Sequence, residues 1–409
     1  MEISADYLPH EVFAPNPGPG AGSGHPVPRV MLAPQRYIQG PGTLDGVGRY
    51  LSLLDATHAA VLITARGQRS EGPRLFASLS ERGIASTVAS FRGECSLEEI
   101  ELHAAALRPV SPDCLLAVGG GKCIDTGKAV AHRLGIPVVV IPSLASNDAP
   151  CSAVSVLYSR EGVSTGVEFY PCNPALVVVD TGIVAAAPER FLVSGMGDAM
   201  ATWYEARVCL ENPAAVTTVG ARPTLASAAI GETCAETLFA EGVRAAAAVA
   251  RSEVDESLEK IVEANTLLSG IGFESGGLAA AHGIAQSCTA IPRVHAEYLH
   301  GEMVAMGTLG QLMLEGRTQE ASRVAAFFAD VGLPVHLAQL SLDPKDGAAL
   351  DTIVEGTLGF PFIGNLPVPV DAGSVHKAVL AADELGRGVS AARGDAAYRR
   401  LHADPRLHT

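Results

Sequence analysis

An N-terminal α/β domain on a parallel sheet, followed by an all-α domain, is the fold class this sequence predicts. Short β-branched runs alternate with helix-period segments through the first half, the pattern of parallel strands joined by helical crossovers. The apolar run Leu115-Leu116-Ala117-Val118 leads straight into Gly119-Gly120-Gly121 and then into a helical segment, a strand, tight turn and helix in succession. After Pro188 the β-branched runs stop, and Ala-rich, helix-period sequence dominates residues 199–329.

Taken in order, residues 15–28 (PNPGPGAGSGHPVP) offer too few side chains to bury and too few N–H donors to fold, so residues 1–29 read as a flexible tail or packing arm. Strands are predicted at 60–64, 86–89, 114–118, 137–141 and 176–180. Helices fall at 73–82 and after Ser96-Leu97-Glu98-Glu99, which has the form of a capping box. Residues 154–158 and 164–170 form a hairpin around Arg160-Glu161-Gly162. The α/β domain then covers 30–187 and the helical domain 188–409. The Ala245-Ala246-Ala247-Ala248 run is ordinary helix, and no repeat is visible.

Composition narrows the function classes. With 409 residues, 48% hydrophobic and 18% charged, the chain can bury two cores. A formal charge of −15 with no Lys/Arg run argues against nucleic acid or an anionic membrane and favours small-molecule chemistry. The eight cysteines contain no C-x-x-C pair and read as reduced, cytoplasmic thiols. No basic segment precedes an apolar signal core, and no stretch is long enough to span a bilayer without polar interruption.

Two local patterns carry chemistry. Gly119, Gly120 and Gly121 between a strand and a helix can bring backbone N–H groups to a diphosphate with no Cβ in the way, although the pattern is not G-x-G-x-x-G and a plain tight turn has the same form. Asp198, His282 and His300 offer one carboxylate and two imidazoles, the donor set of a catalytic divalent metal that keeps a position open. Spread over the chain, they also read as paired or surface residues.

Longer blocks decide between these readings. Phe91-Arg92-Gly93-Glu94-Cys95-Ser96, Gly119 through Lys128, the loop PSLASNDAPCSA at 142–153 and NTLLSGIGFESGGLAAAH at 265–282 resemble glycerol dehydrogenases. These belong to the group III metal-dependent (iron-containing) alcohol dehydrogenase superfamily, which also holds dehydroquinate synthase. The resemblance runs from Val30 to Glu384. It implies a dehydroquinate synthase-like fold: a dinucleotide-binding α/β domain with helices flanking its parallel sheet, and an all-α metal- and substrate-binding domain.

The resemblance also implies roles. Asp198, His282 and His300 take the positions of the zinc ligands; where iron-type relatives add a histidine four residues after the Asp this chain has Thr202, so Zn2+ is expected over Fe2+. Asp148 matches the contact to a substrate hydroxyl, with Phe273 and Gln286 as further substrate contacts. Gly119, Gly120, Gly121, Lys122, Asp125, Ser143 and Ser146, with Lys128, fall on the NAD(H) or NADP(H) site.

Three departures bear on specificity. Ala285 stands where the family has a second histidine, and Gly364 replaces a histidine near the C-terminus, so the pocket is expected to be wider than one for glycerol. Arg66 stands near the usual acid for the adenosine ribose and can meet a 2′-phosphate. The expected function is a zinc-dependent NAD(P)-linked dehydrogenase of a polyol, vicinal diol, amino alcohol or cyclitol, cytoplasmic and a homo-oligomer between dimer and octamer. The alternatives are a dehydroquinate synthase-like cyclase, for which residues 272–286 lack the basic groups a substrate phosphate requires, and an inactive binding or assembly homologue.

Overall fold

The computed structural model describes residues 7–13, 27–160, 162 and 164–403. Most of the Pro/Gly-rich stretch, residues 15–26, lies outside the described residues. Its end does not behave as a tail: Arg29 bridges to Arg222, Val30 N–H donates to the Arg222 carbonyl (3.2 Å), and Leu32 N–H donates to Ser275 Oγ (2.8 Å). These contacts are those of a packing arm, one of the two readings of residues 1–29.

Six parallel strands form the central sheet: β1 (Tyr37–Gly40), β2 (His58–Thr64), β3 (Ala85–Phe91), β4 (Cys114–Gly119), β5 (Val138–Pro142) and β8 (Leu176–Asp180). Their order is β1-β8-β5-β4-β2-β3. Only β1 has no counterpart in the expected strands; it is four residues long and half-buried throughout, so it carries no apolar signal. β6 (Val154–Tyr158) and β7 (Ser164–Phe169) form the expected hairpin as a separate two-stranded sheet.

The inner strands are apolar at nearly every position because both faces are covered. Val61, Ile63, Leu116, Val118, Val139, Ile141 and Val178 point to one side, against Leu75 and Leu79 of the Gly72–Glu81 helix. Ala60, Leu62, Leu115, Ala117, Val140, Val177 and Val179 point to the other, into a core that continues through Met196, Met200, Phe328 and Leu401. Strands β3 and β4 lie on opposite sides of β2, so the chain reverses its winding there, and the crevice at the carboxyl ends of β2 and β4 is where such sheets accept ligands.

Five helices position the site: α1 (Gly121–Leu134), α2 (Glu189–Glu211), α3 (Ser269–Gly276), α4 (Ala280–Thr289) and α5 (His300–Leu314). From Pro188, which caps α2, the described chain is helical apart from the Arg222 bridge. Before α3 the helix widens into a single π turn, Ala264–Leu268. The capping box at Ser96 is half formed: Ser96 Oγ accepts Glu99 N–H (3.2 Å), but the Glu99 carboxylate accepts from Arg92 and pairs with His103 instead of returning to Ser96.

Glu274 of α3 fastens the helical part to the sheet layer. Its two oxygens accept Ala153 N–H (2.7 Å) and Asn173 Nδ2 (2.6 Å), and burial pushes its pKa up to about 7 from 4.5. A carboxyl raised on folding favours the folded state below its unfolded pKa, and that contribution fades as pH rises toward the folded one. Between pH 5 and 8 the wild-type protein should lose up to about 3 kcal/mol relative to Glu274→Gln. Parallel stability profiles from denaturant titrations of the two proteins would contradict this.

Candidate active site

Glycines let three helices meet closely enough to converge their ligands. A Cβ on Gly197 would come within 2.3 Å of the Gly301 carbonyl oxygen, and one on Gly301 within 1.8 Å of the Ser194 carbonyl oxygen, so α2 and α5 touch backbone to backbone. Gly307 does the same for α5 against α4, where an added Cβ would lie 2.1 Å from the Ala281 carbonyl oxygen. These contacts set Asp198 of α2 opposite His282 of α4 and His300 at the first turn of α5.

Asp198 Oδ1 lies 3.5 Å from His282 Nε2 and 3.4 Å from His300 Nε2. One ligand atom from each of the three lies within 4.8 Å of the others. Oδ1 is buried and accepts no well-formed hydrogen bond, an arrangement that costs free energy unless a cation sits among the three. Burial alone would push the Asp198 carboxyl up, but the His300 and His282 rings hold it well below the usual carboxylate range. Burial disfavours charge on His282, yet the Glu205 and Asp198 carboxylates outweigh it and drive that ring's pKa well above the ordinary value. His300 is the exposed member of the set.

Glu205 was not among the expected site residues. It lies seven positions after Asp198 on α2, two turns along one face, and that spacing was legible. Fully buried, it accepts His282 Nδ1 at 2.5 Å, Ala279 N–H at 2.8 Å and His282 N–H at 3.0 Å. A carboxylate on the far nitrogen fixes which nitrogen of His282 faces Asp198.

The loop after β5 closes the other side. Gly195 leaves room for the Ala145 carbonyl, which a Cβ there would approach to 2.1 Å. Asn265, in the π turn, donates from Nδ2 to the carbonyls of Ala145 (2.9 Å) and Leu192 (3.0 Å). The loop is thus fixed to α2, and Asp148 N–H donates to Asp198 Oδ2 (3.3 Å). Asp148 Oδ2 accepts from Ser269 Oγ (3.0 Å), and burial together with the Asp198 charge raises its pKa well above the usual range. Phe273 lies buried one turn after Ser269, and Gln286 is exposed one turn after His282.

At the carboxyl end of β4, Gly119 has φ +159° and an added Cβ would lie 2.9 Å from Cys123 Cβ; one on Gly121 would meet Asn147 Nδ2 at 2.6 Å. Gly120 caps α1 with no side chain, so the first N–H groups of a fourteen-residue helix face the crevice uncapped. Ser143 N–H donates to the Gly119 carbonyl (3.0 Å), and Ser143 and Ser146 lie half-buried in the same loop. Lys122 Nζ pairs with Glu94 (2.5 Å) and lies 5.2 Å from the Tyr158 ring centroid. Arg66 is exposed in the first turn of the Ala65–Ser70 helix, just after β2.

The placement expected for Asp125 and Lys128 needs correction. Asp125 does not face the glycine turn: it is buried against the hairpin, ion-paired with Lys128 Nζ (2.8 Å) and accepting Val156 N–H (3.1 Å). Lys128 is held there too, also donating to the Ala149 carbonyl (3.0 Å). Gly364 is exposed, its carbonyl by Asn212 at the end of α2, and its neighbour Asn365 donates to the Leu278 carbonyl (2.8 Å), four residues before His282. Ala285 is fully buried in the core of the helical part.

Comparison with known proteins agrees with this geometry. Residues 34–181 match the model of the family described as iron-containing alcohol dehydrogenase. The chain is similar to the glycerol dehydrogenase of Escherichia coli O6:H1, 42% identical over 88% of this chain and 98% of that protein. It is similar also to the glycolaldehyde reductase of Halobacterium salinarum, 38% identical over 88% of this chain and 98% of the other. The crystal structure of glycerol dehydrogenase from Schizosaccharomyces pombe superposes with a TM-score of 0.84 at 34% identity, covering 90% of this chain and 93% of that one. Identity at this level over nearly the whole folded length leaves no room for an unrelated lineage, and the chain belongs to the iron-containing alcohol dehydrogenase family.

Proposed function

We propose that this alcohol dehydrogenase interconverts a small vicinal diol, glycerol included, and the matching hydroxyketone or hydroxyaldehyde, with a nicotinamide cofactor and zinc. The carrying observation is that the Asp148 carboxylate stands beside the Asp198, His282 and His300 cluster, its own N–H on Asp198 Oδ2. One short substrate can then reach both with neighbouring oxygens. The chemistry that a divalent metal supplies when bound by the three residues is Lewis acidity toward an alcohol or carbonyl oxygen. Thr202 supports zinc over iron, because its hydroxyl is bonded to Ser269 Oγ (2.8 Å) and adds no fourth ligand.

The rest falls to the chain's own groups. Asp148 receives the hydroxyl next to the reacting carbon and so orients the diol. The uncapped α1 N-terminus and the glycine turn receive the cofactor diphosphate, with Ser143 and Ser146 next to the nicotinamide half and Lys122 free to leave Glu94 for phosphate. A cyclase reading is not favoured, since residues 272–286 carry no Lys or Arg. The enzyme is read as a cytoplasmic homo-oligomer; β3, unpaired along its outer edge among the described residues and with Val88 45% exposed, supports association of copies.

Initial rates with the zinc-loaded protein test the substrate class. Glycerol and 1,2-diols should exceed 2-propanol in kcat/KM by roughly tenfold or more, the value of one charge-assisted hydrogen bond. Equal values would sink the vicinal-diol reading. Arg66 supports use of NADP(H), and Arg66→Asp should move the NADP+ to NAD+ ratio of kcat/KM toward NAD+ by about tenfold or more. An unmoved ratio would leave Arg66 as a surface residue.

A further inference from the structure

Four residues past Asp198 on α2, Thr202 behaves unlike four other threonines within helices. Thr126, Thr308, Thr352 and Thr357 return their hydroxyls to the carbonyl one turn back, the usual resting place of a helical threonine. Thr202, fully buried, instead has Oγ1 at 2.8 Å from Ser269 Oγ. The cause is steric: an added Cβ on Gly272 would lie 2.3 Å from Thr202 Cγ2, so the threonine methyl occupies the space Gly272 leaves, and the hydroxyl is turned to Ser269.

Ser269 is fully buried as well, at the junction of the π turn and α3. Its neighbour Gly270 packs on the Asp148 loop, where an added Cβ would lie 2.8 Å from Cys151 Cβ and 3.1 Å from the Asp148 carbonyl oxygen. Ser269 has a single proton and two oxygen neighbours. Ser269 Oγ donates its proton to Asp148 Oδ2 (3.0 Å) and so accepts from Thr202 (2.8 Å). The donation runs one way, from Thr202 to Ser269 to Asp148.

We propose that Ser269, polarised by Thr202, is the positioning residue that fixes the Asp148 carboxylate for the second hydroxyl of the substrate. The inference rests on the reading that Asp148 receives that hydroxyl. One oxygen of Asp148 is anchored to the rigid helical part, and the carboxylate keeps acceptor capacity for substrate at a set angle.

The zinc-loaded protein and its Ser269→Ala, Thr202→Val, doubly substituted and Asp148→Asn forms test this through the ratio of kcat/KM for a 1,2-diol to that for 2-propanol, with zinc content measured in each. Ser269→Ala should lower the ratio roughly tenfold or more, the worth of a hydrogen bond to a charged group, with zinc stoichiometry retained. Thr202→Val keeps the methyl that fills the Gly272 space and should shift the ratio the same way by less. The double variant should match Ser269→Ala, because Thr202 acts only through Ser269. An unchanged ratio in Ser269→Ala while Asp148→Asn collapses it overturns this inference alone. An unchanged ratio in Asp148→Asn overturns the Asp148 reading and this inference with it. A double variant whose loss is the product of the two single losses shows independent structural roles and overturns the relay.

Discussion

Replacement of His282 with Ala is expected to abolish stoichiometric metal binding and to lower kcat/KM by at least about a thousandfold, since Lewis-acid assistance is worth several kcal/mol and each 1.4 kcal/mol is a factor of ten. The loss goes beyond one ligand. His282 bridges the fully buried Glu205 at 2.5 Å and Asp198 at 3.5 Å, so its removal leaves two carboxylates facing an empty space. The variant should therefore also be less stable than wild type, and circular dichroism must accompany the metal analysis. Glu205→Gln is the graded companion: the ring remains but its far nitrogen loses the anionic acceptor, and metal affinity should fall roughly 10- to 100-fold. Full zinc occupancy in a folded His282→Ala protein would remove the metal-centre assignment altogether.

Gly301→Ala should be nearly as damaging although it adds one methyl and changes no ligand. The new Cβ would stand 1.8 Å from the Ser194 carbonyl oxygen and 3.0 Å from Asp198 N, both backbone atoms that no rotamer change can move. Helix α5 must shift from α2, carrying His300 away from Asp198. We expect a loss of about 3 kcal/mol in stability, at the upper end for overpacking, and weakened metal binding with His282 intact. Gly364→Ala is the control, for its Cβ would meet nothing within 4 Å and should leave both quantities within about 0.5 kcal/mol. Equal thermal midpoints for Gly301→Ala and wild type would show that the helices do not need this contact.

How much was legible in the sequence follows the range of each interaction. The inner strands, the hairpin, the glycine turn and the helical second half rest on local periodicity and turn chemistry, and all were expected within a few residues. β1 was not, because an edge strand of four half-buried residues leaves no periodic mark. Asp198, His282 and His300 come together through backbone contacts of Gly197, Gly301 and Gly307, which no local rule expresses; only family resemblance joined them. Ser269 and Asn265 take their partners from a π turn that has no simple sequence signature. Asp125 was expected on the cofactor site because it lies four residues past the glycine turn, but the hairpin covers it.

The apolar cluster that begins on one sheet face and ends at Leu401 has a consequence for how the chain comes into being. The change of topology at Pro188 is not a change of core. A nascent chain stopped near Ala186 would already lay α1 over Leu115 and Ala117 but would lack Met196, Met200, Phe328 and Leu401, so the cluster would be only part built. The apolar cluster is then completed only when the C-terminal helices leave the ribosome, and a chaperone acting during synthesis would be guarding the part of it on which the helical half later settles.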